Sequence, residues 1–539
     1  MSKPPAAASP SSPRDTSRDG LSNRIEAWLI SSPRMRSFWD LVNRIPFLAR
    51  LLNKLLVNRL VRKAPARPLP LSTLNSYTSW HSLTDRTFFD RYLPPQEPRD
   101  LPPVDTVVKL FATAPNGPKL SERSTLLFPV FAQWFTDGWL LTDDTDRTKT
   151  KSPHQIDLNP LYGLTEDVTQ SLRRLSNVQG ERGQLKSEFV NGEEWAPRLY
   201  LASGEKNPKF ASVPDPARLP RDIAADRRAS LFAFGGERAN GTTFTAMMNT
   251  LFLREHNRLC RLLERTYPAW DDERVFQTAR NINIVLVMKI AVEEYINHIS
   301  SAWLSLLFEP AASYRAEWNR PNWIPIEFNL LYRWHSLVPE KAKWHNDFLE
   351  MDSFEFDNTR LLQDGLGCGF DSASNTAARK LGLFNTPHFL MPVEGFSIKQ
   401  GRDNKLGTYN DYRETFRYPR VTRFAQITSD PQVIDGLRQV YGHVDNIEFF
   451  VGIFAEDIPP RLAVTPLIMR MVAVDAFSHL LTNPLLAPLV YHEKTFSPEG
   501  MATIKTTSSF RDLLERNIPQ PPGTFKITME RDGTEFIGC

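Results

Sequence analysis

The sequence predicts a mainly α fold, and three observations carry that prediction. Two long stretches, Thr243 to Tyr267 and Asp272 to Ser300, repeat apolar residues at helical spacing. Strand-like alternation is rare; only the last segment, TFKITMERDGTEFIG, reads as a short hairpin around Asp532-Gly533. Proline is plentiful (42 residues) and glycine scarce (25), which suits helices joined by Pro-punctuated connections. Asp271, Asp272 and Glu273 give the second long stretch a capped, acid-rich start.

Composition bounds the function classes. With 539 residues, 41% hydrophobic and 24% charged, the chain is an ordinary globular one with room for a buried cofactor. A net charge of +3 gives no case for a nucleic-acid partner. Cys260, Cys368 and Cys539 are too few and too spread for a disulfide framework, which predicts a reducing, cytoplasmic setting. No apolar run reaches about 18 residues, so no membrane-spanning helix is expected.

Along the chain, residues 1–20 are rich in Ala, Ser and Pro and read as a disordered tail. Residues 21–63 mix bulky apolar side chains with Arg and Lys, and Pro33 and Pro46 divide them into short helices. Leu48, Leu51, Leu52, Leu55 and Leu56 recur at helical spacing among Arg50, Lys54 and Arg59. That pattern fits a helix lying in a membrane surface, or one packed on the body of the protein. Residues 64–539 are read as the catalytic domain.

Four segments hold candidate chemistry. In FNLLYRWHSLVPE, Tyr332 and His335 are three apart and share one face of a helix. A neutral imidazole there can ligate iron, with the phenol near the edge of the same macrocycle; the alternative is an ordinary core helix. His256 in TLFLREHNRLC is a metal candidate or a hydrogen-bonded structural histidine. Gln133 and Asp137 in FAQWFTDGW are four apart and can place an amide beside a carboxyl, or merely form a cap. Arg238, in the Gly-rich loop GGERANGTT, points into a pocket or caps a turn.

Taken in order, these segments resemble the prostaglandin-endoperoxide synthase (cyclooxygenase) family. That family sits within the animal heme-peroxidase superfamily, beside fungal linoleate diol synthases, plant fatty-acid alpha-dioxygenases and myeloperoxidase-like enzymes. The resemblance is collinear from Ser37 to Leu486 and runs through SFWDLVNRIPFL, LPP at 93–95, FAQWFT, DLNPLYG, LREHNRLC, FNLLYRWH and VYGHVDNIEFF. It implies a heme-peroxidase (cyclooxygenase-like) helical domain preceded by short amphipathic membrane-binding helices, and a possible homodimer. It implies His335 as the proximal iron ligand of heme b, Tyr332 as the radical-forming tyrosine, Gln133 as the distal glutamine, and Trp334 as part of the cofactor pocket. Ser478 resembles the channel serine beside a bound fatty acid. Leu60 stands where the family keeps a carboxylate-pairing arginine, so Arg59 or Arg62 would substitute, and Phe356 stands in for that arginine's tyrosine partner.

Asp137 is the largest departure, because the family's distal histidine belongs there. An Asp can shuttle the peroxide proton only if burial matches its pKa to the task. Arg238 matches the catalytic arginine of myeloperoxidase-type enzymes and would stabilise a departing oxide. Thr136 and Gly241 stand where those enzymes esterify the heme, so the heme is expected to be held non-covalently. Three functions stay open: a dioxygenase using a fatty acid, molecular oxygen and a peroxide activator; a heme peroxidase or peroxygenase; and a non-catalytic membrane-associated heme-binding protein.

Overall fold

A computed structural model describes residues 32–62, 67–97, 99–300, 303–459 and 461–531. The expected tail at 1–20 and the Asp532-Gly533 turn lie outside them. The elements used below are helices α1 (Arg36–Arg44), α2 (Pro46–Arg62), α3 (Leu127–Trp139), α4 (Thr243–Thr266), α5 (Asp272–Ile290), α6 (Ile326–Leu331), α7 (Met391–Asp403) and α8 (Pro466–Leu481). The strands are β1 (Leu120–Thr125), β2 (Glu188–Val190), β3 (Glu193–Trp195), β4 (Lys341–Trp344), β5 (Asp347–Glu350) and β6 (Ala377–Arg379). They form three antiparallel two-stranded pairs, β1–β6, β2–β3 and β4–β5.

The core is built on α4 packed against α5. Thr242 and Thr245 close a capping box on α4, and the Asp271 side chain accepts from the Arg274 N–H at the start of α5. The α5 backbone continues through a π-helical turn, Ala291–Ile296, to Ile299. Residues 272–299 are long and apolar enough to cross a membrane by length and composition, contrary to expectation. Yet 83% of the apolar window is buried in the protein, so its apolarity is that of a central core helix surrounded on all sides.

One further expectation changes. Cys368 is disulfide-bonded, despite the few and widely spread cysteines, while Cys260 is a buried free thiol. At the other end, Glu530 bridges antiparallel to Ser124, so the described part of the C-terminal segment pairs onto the β1 edge.

Pro33 and Pro46 do open separate helical segments, as predicted. The stripe Ala49, Asn53, Val57 and Val61 is the buried face of α2, which packs along α8. Asparagine side chains tie α1 and α2 to the 303–312 loop: Asn43 donates to Trp303 O at 2.9 Å, Asn53 to Leu307 O at 3.1 Å and Asn58 to Ala312 O at 3.0 Å. The large apolar side chains Phe38, Leu41, Ile45, Phe47, Leu51 and Leu55 are left exposed.

The motif DLNPLYG acquires a packing role. It lies between α3 and the loop carrying Arg238, and two glycines allow the approach. A Cβ on Gly138 would meet Pro160 Cδ at 2.4 Å, and one on Gly235 would meet Gly163 N at 1.9 Å. Gly235 N and Gly236 N donate to Leu161 O and Pro160 O at 3.2 and 3.0 Å. Gly235→Ala is expected to destabilise the fold by about 1–3 kcal/mol through overpacking. A denaturant midpoint equal to that of the parent protein would contradict this packing.

Candidate active site

Every residue of α3 is buried except Gln133 and Asp137. They lie one turn apart, so a single stripe of a core helix faces an accessible space. The Asp137 Oδ1 lies 3.6 Å from Arg238 Nη1, and Oδ2 is buried with no hydrogen-bond partner. Burial pushes the Asp137 pKa up to about 6, against the opposing pull of the Arg238 guanidinium. The expected amide, carboxyl and guanidinium are thus on one wall.

The remaining candidates lie on the turn after α6. Glu327 anchors that helix: its Oε1 accepts from Tyr92 N at 3.1 Å and from Tyr412 Oη at 2.8 Å. Asn329 donates to Leu140 O at 3.0 Å, tying α6 to the end of α3. The helix stops at Leu331 and the chain re-forms as a 3-10 turn over His335–Leu337. Tyr332 and His335 therefore do not share a face of one helix, which corrects the sequence reading. The cause is Trp334. Its ring stacks on Tyr332 at 4.8 Å, a contact between residues two apart that an α-helix does not permit.

The result separates the three side chains. Trp334 is buried against Phe128 and Tyr295, inside the core rather than in the cleft. The Tyr332 phenol is pushed well above its ordinary pKa by burial, which outweighs the opposing influence of the Tyr295 hydroxyl. His335 keeps 17% of its side chain exposed, with Nδ1 lying 3.2 Å from Glu394 Oε2. Thr386 Oγ1 donates to Glu394 Oε1 at 2.8 Å and fixes that carboxylate. A carboxylate behind Nδ1 orients the ring and leaves Nε2 as the nitrogen available to a metal.

The donor set fits a heme: an imidazole nitrogen with no protein partner, an amide, and a carboxyl–guanidinium pair with one carboxyl oxygen left unpartnered. Thr136 Oγ1 is spent on Ala132 O and Gln133 O at 2.8 and 3.2 Å, so it offers nothing for an ester link. His256 proves structural, with Nε2 at 2.9 Å from Gly183 O and Nδ1 at 2.9 Å from Tyr162 Oη. Burial lowers its pKa to about 4, so it is neutral.

The substrate-side assignments are not brought together. Ser478 is fully buried, donating to Asp475 O at 3.1 Å and accepting from Asn322 Nδ2 at 3.3 Å. Arg59 and Arg62 are exposed on α2. Phe356 sits beside the Arg238 loop, where its N–H donates to Gly241 O at 3.3 Å. An arginine that does reach the interior beside α8 is Arg67, in the Pro-rich connection, with Nη2 at 2.9 Å from Asp475 Oδ1 and Nη1 donating to Tyr92 Oη at 2.9 Å. Nothing in the spacing marked Arg67, Glu394 or Tyr295 in advance; each acquires meaning only from elements distant in the chain.

Known proteins resemble this chain over most of its length. The family model described as animal haem peroxidase matches residues 149–527. Prostaglandin G/H synthase 2 of Equus caballus is 29% identical over 506 residues, covering 91% of this chain and 80% of its own. Prostaglandin G/H synthase 1 of Rattus norvegicus is 29% identical over 526 residues, covering 92% and 83%. Among solved structures, the fatty acid alpha-dioxygenase of Oryza sativa superposes with a TM-score of 0.69 at 17% identity, over 94% of this chain and 97% of that one. Peroxidase A of Dictyostelium discoideum gives 0.64 at 20% identity, over 81% and 95%. The helical core is thus that of a known fold, and this chain is an oxidoreductase that belongs to the animal haem peroxidase family.

Proposed function

We propose that this protein is a heme-dependent fatty-acid dioxygenase in which a Tyr332 radical adds molecular oxygen to a long-chain fatty acid and yields a hydroperoxide. The observation that supports this most is the pairing, three residues apart, of a partly exposed imidazole with a phenol whose oxygen is buried. The prostaglandin synthases and the rice alpha-dioxygenase, one structure of which holds palmitic acid, support the substrate class.

Heme b would be held by His335 without ester links and, when bound, would supply the iron and the oxidising power for Tyr332. Asp137 takes the proton from one peroxide oxygen and returns it to the other. Its pKa of about 6 suits both transfers near neutral pH. Arg238 stabilises the departing oxide, and Gln133 supplies a second polar contact on the same wall. Tyr332 gives up an electron and its phenolic proton. The resulting phenoxyl oxygen forms an O–H bond as a substrate C–H bond breaks. Oxygen adds to the carbon radical, and the peroxyl radical takes the hydrogen back from Tyr332. The balance is substrate plus oxygen to hydroperoxide, with the tyrosyl radical regenerated. Asp137 paired with Arg238 also supports a second reading, a peroxidase acting on hydrogen peroxide or lipid hydroperoxides, which consumes no oxygen. The exposed apolar side chains of α1 and α2 support a peripheral position at a membrane surface, from which an apolar substrate enters.

Tyr332→Phe should abolish oxygen uptake with a fatty acid and a trace of peroxide, yet keep the heme absorbance band. Uptake retained in that variant sinks the radical role, and peroxide consumption without oxygen uptake in the parent protein selects the peroxidase. Asp137 must be ionised to accept the peroxide proton, so peroxide activation should rise with pH through about 6. Asp137→Asn should lower that rate by about 10²–10⁴-fold and flatten the pH profile. Replacing Phe47 and Leu51 by Glu should weaken binding to anionic vesicles; binding unchanged by the double substitution would remove α2 from the membrane contact.

A further inference from the structure

A cavity of about 440 Å³ lies at the C-terminal end of α7. None of Gln133, Asp137, Arg238, Tyr332 or His335 lines it. Its floor is apolar. Ile398 comes from α7, Leu406 from just beyond it, and Phe449 and Phe450 open the helix Phe449–Ala455. All four are buried in the protein. A concavity of this size with an apolar lining and few polar groups is the usual form of a small-molecule site.

The polar lining divides into two sets. Arg402 and Glu448 satisfy each other: Arg402 Nε and Nη2 donate to Glu448 Oε1 and Oε2 at 2.7 and 2.9 Å, and Tyr441 Oη donates to Oε2 at 2.9 Å. Arg99 and Lys405 are in no ion pair among the described residues. Arg99 Nη2 donates to Leu406 O at 3.3 Å, but Nη1 is buried with no hydrogen-bond partner. A charged donor shut off from water and left without an acceptor is costly, and a ligand oxygen removes that cost. Backbone bonds keep the two cations on one side of the cavity: Gln96 N donates to Lys405 O at 2.9 Å, and Arg91 Nη2 donates to Asn404 O at 2.9 Å. Glu97 and Asp100 line the same cavity and are exposed. Their charge repels a polyanion more strongly than a single carboxylate.

We propose that this cavity is a second binding site, separate from the candidate active site, for an amphipathic monocarboxylate. Arg99 and Lys405 take the carboxylate, and Ile398, Leu406, Phe449 and Phe450 take the apolar body. A guanidinium matches a carboxylate in geometry as well as charge. The site goes beyond the proposed function and needs neither heme nor Tyr332, so either can fail without the other.

The test uses full-length protein and a diazirine-bearing dodecanoate, cross-linked by light at increasing concentration and mapped by mass spectrometry. Mapping separates this cavity from any fatty acid held near Tyr332. Peptides containing Leu101, Ile398 or Phe449 should be labelled saturably. Dodecanoate should compete for that labelling, whereas methyl dodecanoate and inorganic phosphate should not. Arg99→Gln/Lys405→Gln should raise the half-saturating concentration by about 10- to 100-fold, as loss of charge-assisted hydrogen bonds implies. Leu101→Trp, which fills the cavity without changing charge, should abolish the labelling while the melting temperature stays that of the parent. Labelling confined to other peptides overturns the proposal, as does labelling that survives both variants. Competition by the ester as strong as by the acid overturns the carboxylate contact, and competition by phosphate makes the site one for inorganic anions instead.

Discussion

The ring of Trp334 stacks on the ring of Tyr332 two residues before it, and the geometry of the site follows from that contact. A continuing helix would keep Tyr332 and His335 side by side. Breaking it lets Trp334 bury its indole against Phe128 and Tyr295, a large apolar gain for a side chain of that size. The phenol oxygen is then buried, while the imidazole keeps part of its surface exposed. Under the proposed function, a radical-forming residue needs a secluded oxygen and a metal ligand needs access.

Interior charges hold the walls in register. Glu327 joins α6 to the segments around Tyr92 and Tyr412, and Arg67, Tyr92 and Asp475 join the Pro-rich connection to α8. Burial lifts Asp475 to about 6 even with Arg67 beside it. Pairs so deeply desolvated add little net stability, but removing one partner strands the other. They specify which segments meet rather than how tightly. Asp137 and Arg238 differ in kind: their 3.6 Å separation and the unpartnered Oδ2 leave capacity for a third participant, as expected of a site that waits for substrate.

The helical class, the long core helices and the helix-opening prolines were legible because they depend on local periodicity and caps. His335, Tyr332, Gln133, Asp137 and Arg238 were legible as short motifs in a fixed order. Relations across the chain were not. Phe356 fell beside Gly241 rather than near α2, and Arg67 rather than Arg59 or Arg62 entered the interior. The mistake about Tyr332 and His335 was conformational. Spacing of three implies a shared helical face only while the helix lasts, and a bulky residue between them can end it.

Helix α7 links the two halves of the cleft. Glu394 orients the imidazole, Phe396 carries the guanidiniums of Arg147 and Arg218, and Gln400 engages that of Arg333. One rigid element therefore fixes both the neighbour of the imidazole and the position of this positive charge. The distal pair sits on a different support, α3 and the glycine loop packed on DLNPLYG. The two groups of candidate residues thus rest on separate supports, and under the proposed function an aspartate at the distal position leaves the arrangement of His335 and Tyr332 untouched.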